Sequence, residues 1–342
     1  MLALPSVHLV TVTVTESGYA PSSPLFEYLA CGLRNRKTPI TIACCDNIRQ
    51  NGLVLETQFL AYLYQTNQHE LADWVRENVK FPSSMVDRIT PRTTDELRRE
   101  VETLFPGFGH TTVQTEEYSQ WVIEDKFASD FPDLTKVGVV ITKNIEPYEE
   151  TKIRILNGGH TSLAYLGALS GYRTFDEVMN DASHRKHFKK LQEDEIVPSI
   201  DIELPFDIHE YVDSVEQRFS SATNLDELDR ICMDGFTKFH TFVVPSLRKC
   251  LEQGKRPVQI YKSIAAWYIY SRKFARGCKR IKYNEPNWTL LEPLLRDGAI
   301  DQFVSNERLW GDIPKKYITF TRDLKSILLS HTYEKEIDLL GD

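Results

Sequence analysis

Residues 146–167 read EPYEETKIRILNGGHTSLAYLG, and this stretch separates two parts of the chain that differ in character. Before it, short β-branched segments alternate with helical patterns, as they do in a parallel or mixed α/β sheet. These segments are VHLVTVTV at 7–14, PITIACC at 39–45 and VGVVIT at 137–142. After it, helical patterns dominate and strand signals nearly vanish. The sequence therefore predicts an α/β domain over residues 1–146 and a mainly helical, all-α domain over residues 147–342.

Three helices are predicted in enough detail to be tested. Residues 23–34 read as one helix of the first domain, and a single long helix is predicted over residues 54–80. In the second domain, residues 258–274 read VQIYKSIAAWYIYSRKF and are apolar on most of the helix circumference. Such a pattern is typical of a helix inside a core.

Charge and composition exclude several classes of protein. The 342 residues include 41 Lys or Arg and 49 Asp or Glu, which gives a net charge of −8. A mildly acidic chain is a poor match to a dedicated nucleic-acid binder. No run of about 18 apolar residues is present, so we predict no membrane span, and residues 1–20 lack the basic start of a signal peptide. We therefore predict a cytoplasmic protein with no nucleic-acid or membrane partner.

The stretch 146–167 also carries the groups that point to chemistry. On an ideal helix with Lys152 at zero, Glu149 lies near about 60°, His160 near about 80° and Asn157 near about 140°. A desolvated lysine can act as a general base, an amide N–H can stabilise a developing alkoxide, and a histidine can hold a substrate hydroxyl. The alternative is an amphipathic helix with unrelated polar residues. The adjacent pair Gly158 and Gly159 is costly in a helix and indicates close approach to the backbone.

With these residues in place, the chain resembles the mannitol dehydrogenase family, the long-chain polyol dehydrogenases and hexuronate reductases. The family signature K-x(4)-N-x-x-H is present here as Lys152, Asn157 and His160. Five further blocks match in the same order, and the resemblance extends from about residue 7 to about residue 274. These blocks are VTVTESGYA at 12–20, CDNIRQNG at 45–52, FPSSMVDRITP at 81–91, QWVIEDKF at 120–127 and DELDRICMDGFTKFHTFVVPSLR at 226–248.

The resemblance implies a metal-independent, NAD(P)-dependent interconversion of a secondary alcohol and a ketone. The substrate pair would be a linear polyol of the mannitol type and a ketose of the fructose type, and the cofactor NAD, with NADP as the alternative. By likeness, Lys152 is the general base, Asn157 and Asn47 form the oxyanion hole, and His160 orients the substrate.

Further residues receive roles by the same likeness. Arg230 and Lys238 match basic residues that contact the hydroxyls of the polyol or ketose. Asp87 matches a carboxylate near the catalytic lysine, and Glu149 matches an acid that gates proton release. No metal ligand is implied.

The resemblance departs from the family at the N-terminus. Family members begin with a βαβ unit that carries a glycine-rich turn and then an acidic residue for the ribose, and this chain has neither. We therefore expect an incomplete Rossmann-type sheet domain that lacks its front half, with Thr15 and Glu16 as the remaining cofactor neighbours. Two alternatives stay open for function: a ketohexuronate (fructuronate or tagaturonate) reductase, and a non-catalytic truncated remnant that binds a sugar or a partner. A monomer or weak oligomer is expected.

One charged stretch stands apart from this signature. Residues 254–284 contain nine basic residues and no acidic one. The stretch brackets the predicted core helix, which favours a solvated rim or the rim of an anionic-ligand site over a surface for a polyanion.

Overall fold

The structure is a computed structural model that describes residues 2–130, 132–221 and 226–330. Its contacts divide the chain into two compact units. The sheet unit comprises Met1–Arg88 and Glu117–Glu149, and the helical unit comprises Ile89–Glu116 and Glu150–Asp342. The division falls within a helix at residue 149 and assigns residues 89–116 to the helical unit. The domain boundary placed after residue 146 stays a prediction.

In the part of the chain that the structure describes, the sheet unit contains two three-stranded sheets. The first has the order β1-β2-β3 and is parallel, whereas the second has the order β4-β5-β6, with β4 antiparallel and β6 parallel to β5. All five residues of β2 are buried, as expected for a parallel strand that is covered on both faces. The strands are β1 Leu9–Val12, β2 Ile40–Cys44, β3 Val79–Lys80, β4 Ser84–Asp87, β5 Gln120–Glu124 and β6 Val140–Thr142.

Three helices cover the first sheet. They are α1 Pro24–Leu33, α2 Asn51–Gln65 and α3 His69–Asn78. Ser23 caps α1, whose first position is a proline, which fits a helix start. The single long helix predicted over residues 54–80 is wrong, because α2 ends at Gln65 and the left-handed Asn67, with φ of 57°, turns the chain into α3.

Within its described residues, the helical unit is built from α-helices interrupted by three π-helices. The π-helices are π1 Lys152–Asn157, π2 Leu191–Ile196 and π3 Phe239–Val243. The longer α-helices are α4 Asp95–Leu104, α6 Gly158–Leu169, α8 Ala182–Lys190, α9 Ile208–Phe219, α12 Val244–Glu252, α13 Val258–Ala275 and α18 Ile318–Leu329. The shorter ones are α7 Phe175–Asn180, α10 Leu228–Ile231, α11 Gly235–Lys238, α14 Trp288–Leu291, α15 Ile300–Val304, α16 Glu307–Trp310 and α17 Ile313–Lys316. A further short helix, α5 Glu146–Thr151, spans the division between the units.

The core of the helical unit forms around α13. Eleven of its residues are buried, so the prediction of a core helix over residues 258–274 is confirmed. Trp267 stacks on Phe239 with ring centroids 4.7 Å apart, and α6 packs along the same helix. The predicted fold class, an α/β part followed by a mainly helical part, is confirmed. Among the described residues, no helix is both long and apolar enough to cross a membrane.

A buried ion pair links residues 89–116 to the rest of the helical unit. The Arg218 guanidinium on α9 donates to both carboxylate oxygens of Glu116, at 2.7 and 3.0 Å. The same carboxylate accepts from the backbone N–H of Ile89. Both charged side chains are buried, so each compensates the charge of the other inside the protein.

Candidate functional site

The signature residues Lys152, Asn157 and His160 lie on one continuous helical stretch that is not a regular α-helix. α5 runs into π1, which runs into α6. The backbone N–H of Gly158 donates to the carbonyl of Ile153 five residues earlier, the bond that defines a π-helix. The straight α-helix assumed in the angular prediction is therefore wrong over residues 152–157.

The wider turn changes which residues share a face. At roughly 4.4 residues per turn, each residue advances about 80° instead of about 100°. Five residues then separate Lys152 and Asn157 by about 50° around the axis, rather than the predicted angle of about 140°. The π segment thus brings the lysine and the amide closer to one face than an α-helix would. Lys152 is buried, and Asn157 is half-buried.

Side chains from distant parts of the helical unit hold π1 in this form. The Gln192 side-chain amide, from π2, donates to the carbonyl of Ile155 at 3.0 Å. The Arg154 guanidinium donates to the hydroxyls of Ser199 and Ser246, at 2.7 and 3.0 Å. These bonds satisfy polar groups that the irregular, buried turn would otherwise leave without partners.

The glycine pair after π1 makes room for neighbouring protein atoms. A Cβ at Gly158 would lie 3.0 Å from the carbonyl oxygen of Phe242 in π3. A Cβ at Gly159 would lie 2.7 Å from Nε2 of Gln192 and 2.9 Å from the Phe188 ring. The close approach predicted from the sequence is therefore observed, and the atoms that approach belong to the protein itself.

His160 sits among aromatic rings beside one carboxylate. Its ring meets Phe175 edge-on, with centroids 4.3 Å apart, and stacks with Phe219 at 5.2 Å. Its Nε2 lies 3.7 Å from an Asp226 carboxylate oxygen. Burial lowers the pKa of His160 to about 4, against the smaller opposing effect of Asp226. The imidazole is therefore neutral at physiological pH, with one nitrogen that donates and one that accepts.

Asp226 links His160 to the predicted substrate-binding arginine. The guanidinium of Arg230 donates to both Asp226 oxygens at 2.5 Å, while 49% of its side chain remains exposed. Asp226 was not among the residues predicted from the sequence. Its one available signal was the spacing of four residues to Arg230 within the block DELDR, which is typical of an ion pair along a helix.

The second predicted substrate-binding cation, Lys238, points back into the helical unit. Its ammonium donates to the carbonyl of Ile231 at 2.7 Å. Burial lowers its pKa below the ordinary value for lysine. An ammonium has three N–H donors, so this bond fixes the side chain while further donors are available for a ligand.

In the sheet unit, Asp46 orders the chain at the carboxyl ends of β1 and β2. Its carboxylate accepts from the backbone N–H groups of Val14 at 3.0 Å and Thr15 at 2.7 Å, and from the Tyr19 hydroxyl at 2.5 Å. These bonds hold Thr15 in the left-handed region, with φ of 62°. Because β1 and β2 are parallel, Thr15 and the exposed Asn47 follow strand ends at the same sheet edge.

The remaining cofactor prediction, Glu16, is described only in part. Its backbone lies in a short 3₁₀ helix, Glu16–Tyr19, and its side chain lies outside the described part of the structure.

Glu149 fixes the loop that carries Asn47. Its buried carboxylate accepts from the backbone N–H of Gln50 at 3.1 and 3.3 Å. On the other side of this loop, the buried Asn51 amide donates to the carbonyls of Asp46 and Ser84 at 2.8 and 2.7 Å. Asn51 was not predicted, although it lies in the block CDNIRQNG. The structure thus gives Glu149 a positioning contact, and its role in proton release stays a prediction.

Asp87 lies buried at the end of β4, opposite Gln120 in the register. The predicted residues are divided between the two units. The helical unit holds Lys152, Asn157, His160, Arg230 and Lys238, and the sheet unit holds Thr15, Glu16, Asn47, Asp87 and Glu149. Within residues 2–130, 132–221 and 226–330, no group of three or more His, Cys, Asp or Glu side chains is arranged to hold a metal ion.

Two stretches of the chain match described protein domains. Residues 3–136 match the mannitol dehydrogenase Rossmann domain, and residues 144–328 match the mannitol dehydrogenase C-terminal domain. A solved mannitol 2-dehydrogenase of Pseudomonas fluorescens, a ternary complex with NAD and D-mannitol, superposes with a TM-score of 0.80 at 29% identity, covering 99% of this chain and 75% of that one. A substrate-free D-sorbitol dehydrogenase gives 0.85 at 27% identity, covering 98% and 75%.

Curated relatives match this sequence over most of its length. A mannitol 2-dehydrogenase of Phaeosphaeria nodorum is 33% identical in an alignment 361 positions long, which covers 96% of this chain and 63% of that protein. A mannitol 2-dehydrogenase of Cereibacter sphaeroides is 35% identical over 342 residues, covering 90% and 70%. The chain thus spans less than two thirds of the Phaeosphaeria protein. Because both domains match and such relatives cover nearly all of it, the chain belongs to the mannitol dehydrogenase family.

Proposed function

We propose that this chain is an oxidoreductase that interconverts a linear polyol of the mannitol type and a ketose of the fructose type. The observation that supports this most directly is the set Lys152, Asn157 and His160 on the π-interrupted helix of a chain in this family. The two curated relatives named above are mannitol 2-dehydrogenases, and one solved relative was captured with NAD and D-mannitol. The predicted cytoplasmic location stays a prediction.

The sheet unit supports a nicotinamide dinucleotide as the cofactor, with NAD favoured and NADP as the alternative. Ligands of open α/β sheets bind beyond the carboxyl ends of parallel strands. The residues that follow β1 and β2 here, Thr15 and Asn47, present polar side chains suited to the amide and hydroxyl groups at the nicotinamide end. When bound, this group supplies the acceptor or donor of the hydride.

Lys152 is the group proposed to move the proton. In polyol oxidation its neutral amine takes the hydroxyl proton while the carbon–oxygen bond becomes a carbonyl and the hydride leaves that carbon. In ketose reduction the ammonium returns the proton to the oxygen. Asn157 donates an amide N–H to the oxygen as negative charge develops there, a role in which one donor contributes about 2.7–4 kcal/mol.

His160 and the two cations orient the substrate in this proposal. Because His160 is neutral, it can accept from one hydroxyl or donate to it without adding charge. Arg230, held by Asp226, and Lys238, held by the Ile231 carbonyl, offer charged N–H donors to the other hydroxyls.

The decisive experiment replaces the proposed base. Purified chain should oxidise NADH with fructose and reduce NAD with mannitol. Lys152→Met, which keeps the side-chain length and removes the amine, should lower the rate about 10² to 10⁴-fold. The exposed Lys186→Met on α8 is the matched control and should keep the full rate. Circular dichroism and the melting temperature establish that both variants fold.

Three outcomes would contradict the proposal in different ways. Normal turnover by Lys152→Met would remove the assigned base. Activity with fructuronate or tagaturonate but not with fructose would identify a hexuronate reductase. A folded chain that binds fructose without turning over any of these substrates would be a non-catalytic binding protein.

A further inference from the structure

We propose that Asp226 makes the substrate site selective for uncharged polyols and ketoses, because it neutralises Arg230 and so disfavours a substrate carboxylate. This inference rests on the proposed function, in which Arg230 and Lys238 contact hydroxyls of the substrate. The acids that a ketohexuronate reductase interconverts have a carboxylate where mannitol and fructose have a hydroxymethyl group. Whether the site accepts them therefore depends on how far its cations are already compensated within the protein.

Asp226 occupies one side of the Arg230 guanidinium. Nε of Arg230 donates to one carboxylate oxygen at 2.8 Å, and Nη2 donates to both oxygens at 2.5 Å. This side of the fork is one on which an arginine can hold a carboxylate with two parallel bonds. A substrate carboxylate would compete with Asp226 for it, whereas a hydroxyl oxygen needs only one of the other N–H groups.

Burial fixes Asp226 in this position. The residue is 3% exposed, and its backbone carbonyl accepts from the N–H of Phe175 at 3.0 Å. Burying a carboxylate is costly unless it is paired and hydrogen-bonded. If Arg230 turned toward a substrate carboxylate, the buried charge of Asp226 would lose its arginine partner. The pair therefore resists the rearrangement that a charged substrate would require.

A second carboxylate, that of Asp234, compensates the second cation. Asp234 immediately precedes α11, and the backbone N–H of Lys238 donates to its carbonyl at 3.1 Å, one turn further along. Burial lowers the pKa of Lys238, and the negative charge of Asp234 opposes this effect. The Lys238 ammonium thus lies within electrostatic range of a carboxylate of its own chain.

The charges of these side chains add to zero. Arg230 and Lys238 contribute two positive charges, Asp226 and Asp234 contribute two negative charges, and the neutral His160 contributes none. A substrate carboxylate would gain no net attraction from this set, and on Arg230 it would lie beside the Asp226 carboxylate. Uncharged hydroxyl groups avoid this repulsion and still receive charge-assisted hydrogen bonds.

Steady-state oxidation of mannitol and of mannonate by the whole chain with NAD tests this inference. Both substrates are linear, and mannonate has a carboxylate in place of one hydroxymethyl group of mannitol. The wild type should have a kcat/KM at least about tenfold higher for mannitol than for mannonate. Asp226→Asn should move this ratio at least about tenfold toward mannonate, equivalent to about 1.4 kcal/mol.

Two further variants complete the test. Asp234→Asn should move the ratio in the same direction, and asparagine tolerates the left-handed backbone at this position, where φ is 53°. Asp229→Asn is the matched control, because it removes a neighbouring carboxylate that pairs with Lys282 and not with Arg230. It should keep the ratio within about twofold of wild type. A purely structural defect lowers both rates alike and leaves the ratio unchanged.

The outcomes separate this inference from the proposed function. If the wild type oxidises mannitol but the ratio stays unchanged in Asp226→Asn and Asp234→Asn, the inference is overturned and the proposed function stands. An equal change in Asp229→Asn also overturns it, because the effect would then not depend on the Arg230 pair. No turnover of either substrate, or a wild type that prefers mannonate, overturns both. If circular dichroism shows Asp226→Asn unfolded, the wild-type ratio and Asp234→Asn decide the question.

Discussion

Glu195 gives the helical unit a pH-dependent stability that one substitution should remove. Its carboxylate, in π2, accepts from the backbone N–H groups of Gln259 and Ile260 at 2.7 and 2.8 Å, at the start of α13. The side chain is 6% exposed. Burial raises the pKa of Glu195 from 4.5 to about 7, because desolvation outweighs the two N–H bonds. Asp194 raises this pKa further and Lys262 lowers it.

The sign and size of the effect follow from these two pKa values. The folded protein binds this proton more tightly than the unfolded chain, so the contribution to stability is complete below pH 4.5 and is lost as the pH rises through 7. Linkage gives a loss of about 1 kcal/mol at pH 5, about 2 kcal/mol at pH 6 and about 3 kcal/mol at pH 8.

Glu195→Gln removes the ionisation, since the amide cannot ionise at any pH. Its NH2 group cannot accept the second backbone N–H bond, which adds a stability difference that does not depend on pH. Between pH 4.5 and pH 8, the free energy of unfolding of the variant relative to wild type should therefore rise by about 3 kcal/mol. Urea denaturation between pH 4.5 and 8 measures the difference, and exposed Glu193→Gln on the same π-helix serves as the control. The reasoning is refuted if the difference in free energy of unfolding between variant and wild type does not change with pH. It is also refuted if this difference shows the variant becoming less stable, relative to wild type, as the pH rises from 4.5 to 8.

Two further predictions concern the neighbourhood of the signature residues. Gly159→Ala should lower the free energy of unfolding by about 1–3 kcal/mol, because its Cβ would press on Gln192 and Phe188. The control, exposed Ser183→Ala on α8, should change the free energy of unfolding by less than about 0.5 kcal/mol. Equal values for the two variants in urea denaturation would show that the helices separate at no cost. Asp226→Asn, if the proposed function holds, should raise KM for fructose about tenfold through a loosened Arg230 while kcat changes less. Steady-state kinetics beside the Asp229→Asn control decide this, and an unchanged KM would contradict the positioning role of Asp226.

The elements with strong local patterns could be predicted from the sequence. β1, β2 and β6 coincide with short β-branched segments, α1 with the segment after Ser23, and α13 with its apolar circumference. β3, β4 and β5 were not predicted as strands. β3 has only two residues and β4 alternates little, so their pairing depends on partners distant in sequence rather than on a local period.

The residues of the site also differ in whether the sequence alone could identify them. Lys152, Asn157 and His160 could be named from their spacing and from the family resemblance. Asp226, Asn51 and Gln192 could not, because each acts through a contact that no local pattern specifies. Gln192, for example, reaches a carbonyl 37 residues away along the chain. Residues of this kind become visible only when the fold places their partners.

The angle around the helix axis between Lys152, the proposed base, and Asn157 depends on π2 and π3. A π turn is rare and persists only where surrounding contacts favour it over the α form. Here π1 contacts both π2 and π3. Gln192 of π2 bonds a carbonyl of π1, and the Phe242 carbonyl of π3 occupies the space beside Gly158. Because a return to α geometry would rotate Asn157 by about 90° relative to Lys152, contacts remote from both side chains determine whether the two share a face.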